Sequence, residues 1–180
     1  IVTPSQINSD WKKNLTTADI TKKNLIYVGR IRKEKGIYSL IELIKDETDI
    51  NLTIIGADKS TDKITGKNIK IIDIINNQKE LIKVYDQNNI LVLPSFTEGY
   101  PMVILEALSR MRPVIIFKEI DHVVDDRKGI FVADRNRISL LKTIDHIINN
   151  YEQIQKKMAS NQIPYNENFI NQIKEIVEKK

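Results

Sequence analysis

Residues 25–44 read LIYVGRIRKEKGIYSLIELI, and the fold follows from how that stretch is parsed. Leu25-Ile26-Tyr27-Val28 is a short apolar run closed by Gly29, the mark of a strand buried on both faces. After Gly36, apolar residues fall at Ile37, Leu40, Ile41 and Ile44, the i, i+3, i+4, i+7 spacing of an amphipathic helix. Between the two glycines lies a loop with four cations: Arg30, Arg32, Lys33 and Lys35. The unit is therefore strand, cationic loop, helix.

The strand-then-glycine design recurs outward from it, without an internal repeat of the sequence. Leu52-Thr53-Ile54-Ile55 closed by Gly56 is a second strand, and 69–75 is a third β-rich run interrupted by Asp73. Glu80, Leu81, Val84 and Tyr85 fall on a short helix, and Ile90–Leu93 is the next strand. Pro101–Met111 is apolar almost all round and reads as a buried helix, with Pro101 as its first residue. Strands at Pro113–Phe117 and Gly129–Val132, a helix at Ile138–Asn149 and two further helical segments, 151–160 and 168–179, complete the chain. Such alternation implies right-handed βαβ crossovers, hence an α/β fold with a Rossmann-like, doubly wound parallel sheet. Ligands of such sheets sit beyond the carboxyl ends of the strands, where the loops at 29–36 and 94–101 lie.

Composition narrows the function classes. With 180 residues, one domain is expected, burying roughly 70% of the surface its unfolded chain exposes. There is no cysteine, which excludes a disulfide framework, thiolate-bound metal and a cysteine nucleophile; the two histidines, His122 and His146, make an imidazole-built metal site a poor reading. The 28 basic residues are interspersed with 24 acidic ones, so no basic face points to nucleic acid. The longest apolar runs are far too short to cross a bilayer. Residues 1–24 are polar and irregular, and their start at Ile1 reads as a linker or N-terminal extension cut from a longer chain.

Two segments could carry chemistry. The first loop lacks both GxGxxG and GxxxxGK[ST], but cations beside the amides of a helix start make an anion site; the competing reading is a solvated basic turn. The second segment is Pro94–Ala107, PSFTEGYPMVILEA. Glu98 stands in the loop after a buried strand, and Gly99 lets the chain approach a ligand closely. Glu106 lies in the second turn of an otherwise apolar helix, where a carboxylate must find a partner or face a cavity. The bland alternative is a surface pair with Arg110 at i+4. Asp125-Asp126 reads as a turn, and Trp11 stands isolated.

Two glutamates separated by seven residues within EGYPMVILEAL, preceded by ILVLPS and paired with VGRIRKEKG, resemble the signature of family 4 (group 1) retaining glycosyltransferases of the GT-B fold. The order of elements over 25–150 is similar to that family's C-terminal, nucleotide-sugar-binding domain. The resemblance implies that 1–24 is a linker, 25–150 the donor-binding domain, and 151–180 helices packing on it and on an absent N-terminal acceptor domain. It implies a catalytic set of Arg30, Lys35 and Glu98. Arg30 and Lys35 would hold the diphosphate, Glu98 the sugar hydroxyls and Glu106 the ribose. Backbone from Gly99 through Tyr100 and Pro101 to Met102, Pro101 alone lacking an N–H, would meet diphosphate or sugar, and Ile74 and Ile75 the base.

No metal or other cofactor is implied, since two cations and a helix start supply the field. The donor would be a UDP- or GDP-sugar. The acceptor, a carbohydrate or lipid-linked glycan, would be held through the missing domain. The setting would be bacterial surface polysaccharide synthesis at the cytoplasmic face of the membrane. Without the acceptor domain the chain would bind donor but not transfer. Departures from the family pattern are Asp73, where glycine is common, and Phe117–Asp121, where a glycine-rich turn is common. A stand-alone nucleotide-sugar-binding module and a GT-B epimerase are the competing readings.

Overall fold

The computed structural model describes residues 5–57, 64 and 66–178. Six strands form one parallel sheet among these residues: β1 (Lys23–Val28), β2 (Ile50–Ala57), β3 (Ile69–Asp73), β4 (Ile90–Leu93), β5 (Val114–Phe117) and β6 (Ile130–Ala133). Their order across the sheet is β3-β2-β1-β4-β5-β6, so the winding reverses between β1 and β4. That is the doubly wound order, and its switch point opens a crevice at the carboxyl ends of β1 and β4.

Helices α1 (Ile37–Ile44), α2 (Gln78–Asp86), α3 (Met102–Ser109) and α4 (Arg137–Asn149) connect or flank the strands, followed by α5 (Tyr151–Met158) and α6 (Asn166–Glu178). β4 and β5 are buried at every position, which is why each reads as an unbroken apolar run rather than an alternation. In α1 the helix-spaced Ile37, Leu40 and Ile44 are buried as the pattern requires. Pro101 is not the first helical residue: at φ −75°, ψ 104° it is extended and occupies the N-cap of α3.

Residues 5–18 are not a loose linker. Ile7, Trp11 and Ala18 are buried in the core, and Trp11 packs edge-on against Tyr85 at 5.6 Å between ring centroids. Two arginines in the turn after α3 hold this segment by its carbonyls. Arg110, 1% exposed, donates to the carbonyls of Trp11, Lys13 and Asn14 at 2.9, 2.8 and 3.0 Å, and makes a two-point pair with Asp86. Arg112, wholly buried, donates to the Thr16 carbonyl and hydroxyl and to the Asp86 carbonyl. Guanidinium groups so deep need every donor satisfied, and backbone carbonyls of an irregular segment are free to do it. Pro4 and residues 179–180 lie outside the described residues.

At the other end, α5 buries Tyr151, Ile154 and Met158, and the Tyr151 hydroxyl donates to the Asn89 carbonyl at 2.7 Å. α6 buries no residue; Ile170, Ile173, Ile176 and Val177 are exposed. Its start lies beside the N-terminal segment, with Asn166 N donating to the Ile7 carbonyl at 2.8 Å.

Candidate functional site

Beyond the ends of β1 and β4 lies a cleft of about 310 Å³ walled by Gly29, Arg30, Lys35, Glu98, Tyr100 and Met102, among others. Two loops build it, and Gly36 lets them meet. Its φ of +68° is left-handed, and a Cβ there would stand 1.8 Å from the Pro94 carbonyl oxygen. Glycine is required on both counts. The loops are then clipped by Phe96 N donating to the Glu34 carbonyl at 3.0 Å.

This contact sets the central pair. Lys35 Nζ donates to Glu98 Oε1 at 2.7 Å, and Ser95 Oγ donates to the same oxygen at 2.6 Å. Both side chains are largely covered, at 22% and 11% exposed. An ammonium has three donors, so Lys35 retains two after serving Glu98. Arg30 is exposed at the rim and forms no ion pair among the described residues. The Tyr27 hydroxyl donates to the Arg30 carbonyl at 2.7 Å from beneath. Burial, and after it the charge of Glu98, pushes the Tyr27 phenol well above its ordinary value, so it stays a neutral donor holding the loop.

Tyr100, Pro101 and Met102 bring the start of α3 to the cleft wall. The first amides of a helix lack intrahelical partners and carry the positive end of its dipole. The site therefore combines an unpaired guanidinium, an ammonium with spare donors and a helix N-terminus around one carboxylate. That combination can hold a doubly charged oxyanion on one side and orient hydroxyl groups on the other.

Glu106 is placed differently from its sequence neighbours. It does not line the cleft and does not pair with Arg110, which is spent on Asp86. It is 8% exposed, and its Oε2 accepts from the buried Tyr85 hydroxyl at 2.8 Å. Burial raises its carboxyl above the ordinary value, and the Tyr85 hydrogen bond offsets this in part. The one wholly buried side-chain polar atom without a partner among the described residues is Ser109 Oγ. Glu106 Oε1, which has none among them either, thus keeps contact with solvent. Ile75 follows β3 at the same sheet edge, half-buried against the core, while Ile74 beside it is 61% exposed. Gly99 is exposed and borders an adjoining cavity.

Two residues also build the site: Arg135, which the sequence does not single out, and His122, which reads there as a polar loop residue. Arg135, after β6, donates to the carbonyls of Pro94 and Ser95 at 2.9 and 3.2 Å and to Glu119 at 2.6 Å. Its guanidinium lies over the rings of Phe96 and Phe117, at 4.0 and 4.4 Å from their centroids. It braces the Glu98 loop from behind. His122, in the short helical turn Lys118–Val123 after β5, brings Nε2 within 2.8 Å of the Glu98 carbonyl oxygen. No sequence spacing couples either to residue 98. Asp125 accepts from the Arg127 amide at 3.0 Å and pairs with its guanidinium, a turn as expected. No group of three potential metal ligands occurs among the described residues.

Residues 10–169 match the family described as "Glycosyl transferases group 1". An uncharacterized glycosyltransferase of Methanocaldococcus jannaschii is 30% identical over 155 residues, covering 80% of this chain and 43% of that protein. The capsular polysaccharide biosynthesis glycosyltransferase CapM of Staphylococcus aureus is 29% identical over 149 residues, covering 75% and 39%. Among solved structures, Anabaena Alr3699/HepE in complex with UDP-glucose superposes with a TM-score of 0.73 at 16% identity, over 89% of this chain and 50% of that one. The sucrose-phosphate synthase of Thermosynechococcus elongatus gives 0.72 at 17%, over 96% and 48%. This chain spans about two fifths of the length of the curated relatives it matches.

Proposed function

The chain belongs to the glycosyl transferases group 1 family, and on that premise we propose that it is the donor-binding part of a retaining sugar transferase. The observation that carries this is the cleft at the switch point, where Arg30, Lys35 and the start of α3 surround Glu98. A nucleoside diphosphate-sugar fits that charge pattern. The diphosphate takes the cationic side, and Glu98, fixed by Lys35 and Ser95, accepts from sugar hydroxyls. The base lies toward Ile75 and the ribose toward the free oxygen of Glu106. UDP is the favoured carrier, because the structural neighbour Alr3699/HepE was solved with UDP and with UDP-glucose.

In the transfer step the bond from the anomeric carbon to the phosphate oxygen breaks, and a bond to the acceptor oxygen forms on the same face. The acceptor proton passes to the departing phosphate. Arg30, Lys35 and the helix start stabilise the charge gathered on the diphosphate, a task that in other enzymes falls to a metal ion. We therefore place the reaction without metal. Glu98 positions the sugar and forms no covalent intermediate. The relatives are more than twice as long as this chain, and we assign the completion of the acceptor site to a second domain of that kind, so the chain alone binds donor without transferring it. The likeness to CapM, a capsular polysaccharide biosynthesis glycosyltransferase, supports a role in surface polysaccharide synthesis. No helix among the described residues is long and apolar enough to cross a membrane.

Calorimetric titration of UDP and UDP-glucose against two variants tests the division of labour. Glu106→Ala is expected to weaken both ligands. Glu98→Ala should spare UDP and weaken UDP-glucose by roughly ten- to a hundredfold, the worth of one to two hydrogen bonds to a carboxylate. Equal losses for both ligands in Glu98→Ala, or none in Glu106→Ala, would contradict the assignment.

A further inference from the structure

A groove leads away from the donor cleft, and Tyr100 stands at the junction. Tyr100 and Pro101 wall the cleft on one side and, on the other, a cavity of about 200 Å³ bordered by His122. Tyr100, Asp125 and Arg127 also line a third cavity of about 510 Å³, together with Asp126, Gln162 and Pro164. One wall is the loop between β5 and β6, and the other is the loop between α5 and α6.

The walls are fixed to each other. The Asn161 side chain accepts from Lys128 N at 2.7 Å and donates to the Lys128 carbonyl at 2.8 Å, joining the two loops at one residue. Ser5 Oγ donates to the Pro164 carbonyl at 2.6 Å, so the N-terminal segment holds the far end. Arg127 is locked on Asp125, which cancels both charges. A groove with clipped walls binds without having to order them first.

Its chemistry selects a class of ligand. Tyr100 is 39% exposed and brings an aromatic side chain to the groove. Asp126 is exposed and has no ion pair among the described residues, and exposed Gln162 adds an amide beside it. An aromatic side chain in one groove with carboxylate and amide groups matches a sugar ring, which has a C–H face and a rim of hydroxyls. The uncancelled charge of Asp126 repels acidic sugars. We propose that this groove holds the growing acceptor glycan, as a chain of neutral hexose or N-acetylhexosamine units, with its terminal sugar directed at the donor cleft. The proposal rests on the transferase reading and adds a subsite on this domain for the product-side chain.

The test is an NMR titration of this chain, saturated with UDP, using maltotriose, tri-N-acetylchitotriose and trigalacturonate. Saturable shifts at the amides of Tyr100, Asp126 and Gln162 are expected for a neutral trimer. Trigalacturonate should bind at least tenfold more weakly. Asp126→Ala should weaken the neutral trimer about tenfold, and Gln162→Ala severalfold, with UDP affinity unchanged in both. Shifts on another face, no shift with UDP bound, or equal binding of trigalacturonate would overturn the groove assignment. Failure of UDP itself to bind would instead overturn the reading on which it rests.

Discussion

Replacing Gly36 with alanine is the most direct mechanical test of how the two site loops meet. An added Cβ stands 1.8 Å from the Pro94 carbonyl oxygen, and the residue holds φ +68°. The left-handed conformation costs an alanine about 1–2 kcal/mol. Relief of the clash needs a separation near 3.4 Å, so the loops must part by about 1.6 Å. Such a shift exceeds what the Phe96 N to Glu34 bond at 3.0 Å or the Lys35–Glu98 pair at 2.7 Å can absorb. With one or two hydrogen bonds lost at about 1 kcal/mol each, Gly36→Ala should destabilise the chain by about 2–4 kcal/mol in all. For a domain of this size that is a fall in Tm of roughly 4–16 °C. Urea unfolding reads the first quantity and calorimetry the second effect, at least a tenfold loss of UDP affinity as Arg30 and Lys35 move from their places. A variant within about 0.5 kcal/mol of wild type, binding UDP equally well, would refute the juxtaposition.

Two other substitutions probe buried charge. Burial, which the Tyr85 hydrogen bond offsets only in part, raises the Glu106 carboxyl above its ordinary 4.5, so the folded state binds that proton more tightly than the unfolded state. Its contribution to stability is full below pH 4.5 and is lost as pH rises through the folded value. Glu106→Gln keeps an acceptor for Tyr85 and carries no charge; it should be at least as stable as wild type at pH 7 and show a flatter pH–stability curve above pH 4.5. A loss of more than about 1 kcal/mol at pH 7 would contradict this. Arg110→Met strands three carbonyls and leaves Asp86 only the Arg112 guanidinium at 3.8 Å, and should cost about 3–5 kcal/mol while exposing the amides of 11–16 to hydrogen exchange. Unchanged protection there would show that Arg110 does not hold the segment.

The middle of the sheet was legible because β4 and β5 are buried on both faces: Ile90–Leu93 and Val114–Phe117 announce themselves as short apolar runs with boundary residues beside them. The loops that follow strands of such a sheet gather at one edge, so Arg30, Lys35 and Glu98 were expected there from position as well as from motif, and they share one cleft. What escaped was non-local. Trp11 and Ile7 are core residues in a stretch with no periodicity, because their segment is held by arginines nearly a hundred positions away. Arg135 and His122 reach the Glu98 loop across the sheet edge, where no spacing rule applies. For Glu106 the local i+4 rule pointed to Arg110, but burial governed: Arg110 turns to Asp86, and Tyr85 supplies the donor.

The central claim is that the cations and helix start around Glu98 form a diphosphate site that works without metal. Thermal unfolding of this chain with UDP in the presence of EDTA measures it. Saturation at about a hundred times the dissociation constant stabilises the native state by about 2.7 kcal/mol, which for this size raises Tm by roughly 5–10 °C. The account predicts that rise in EDTA, and its loss in Arg30→Ala and Lys35→Ala; no shift at millimolar UDP, or a shift that appears only when divalent metal is restored, would contradict it.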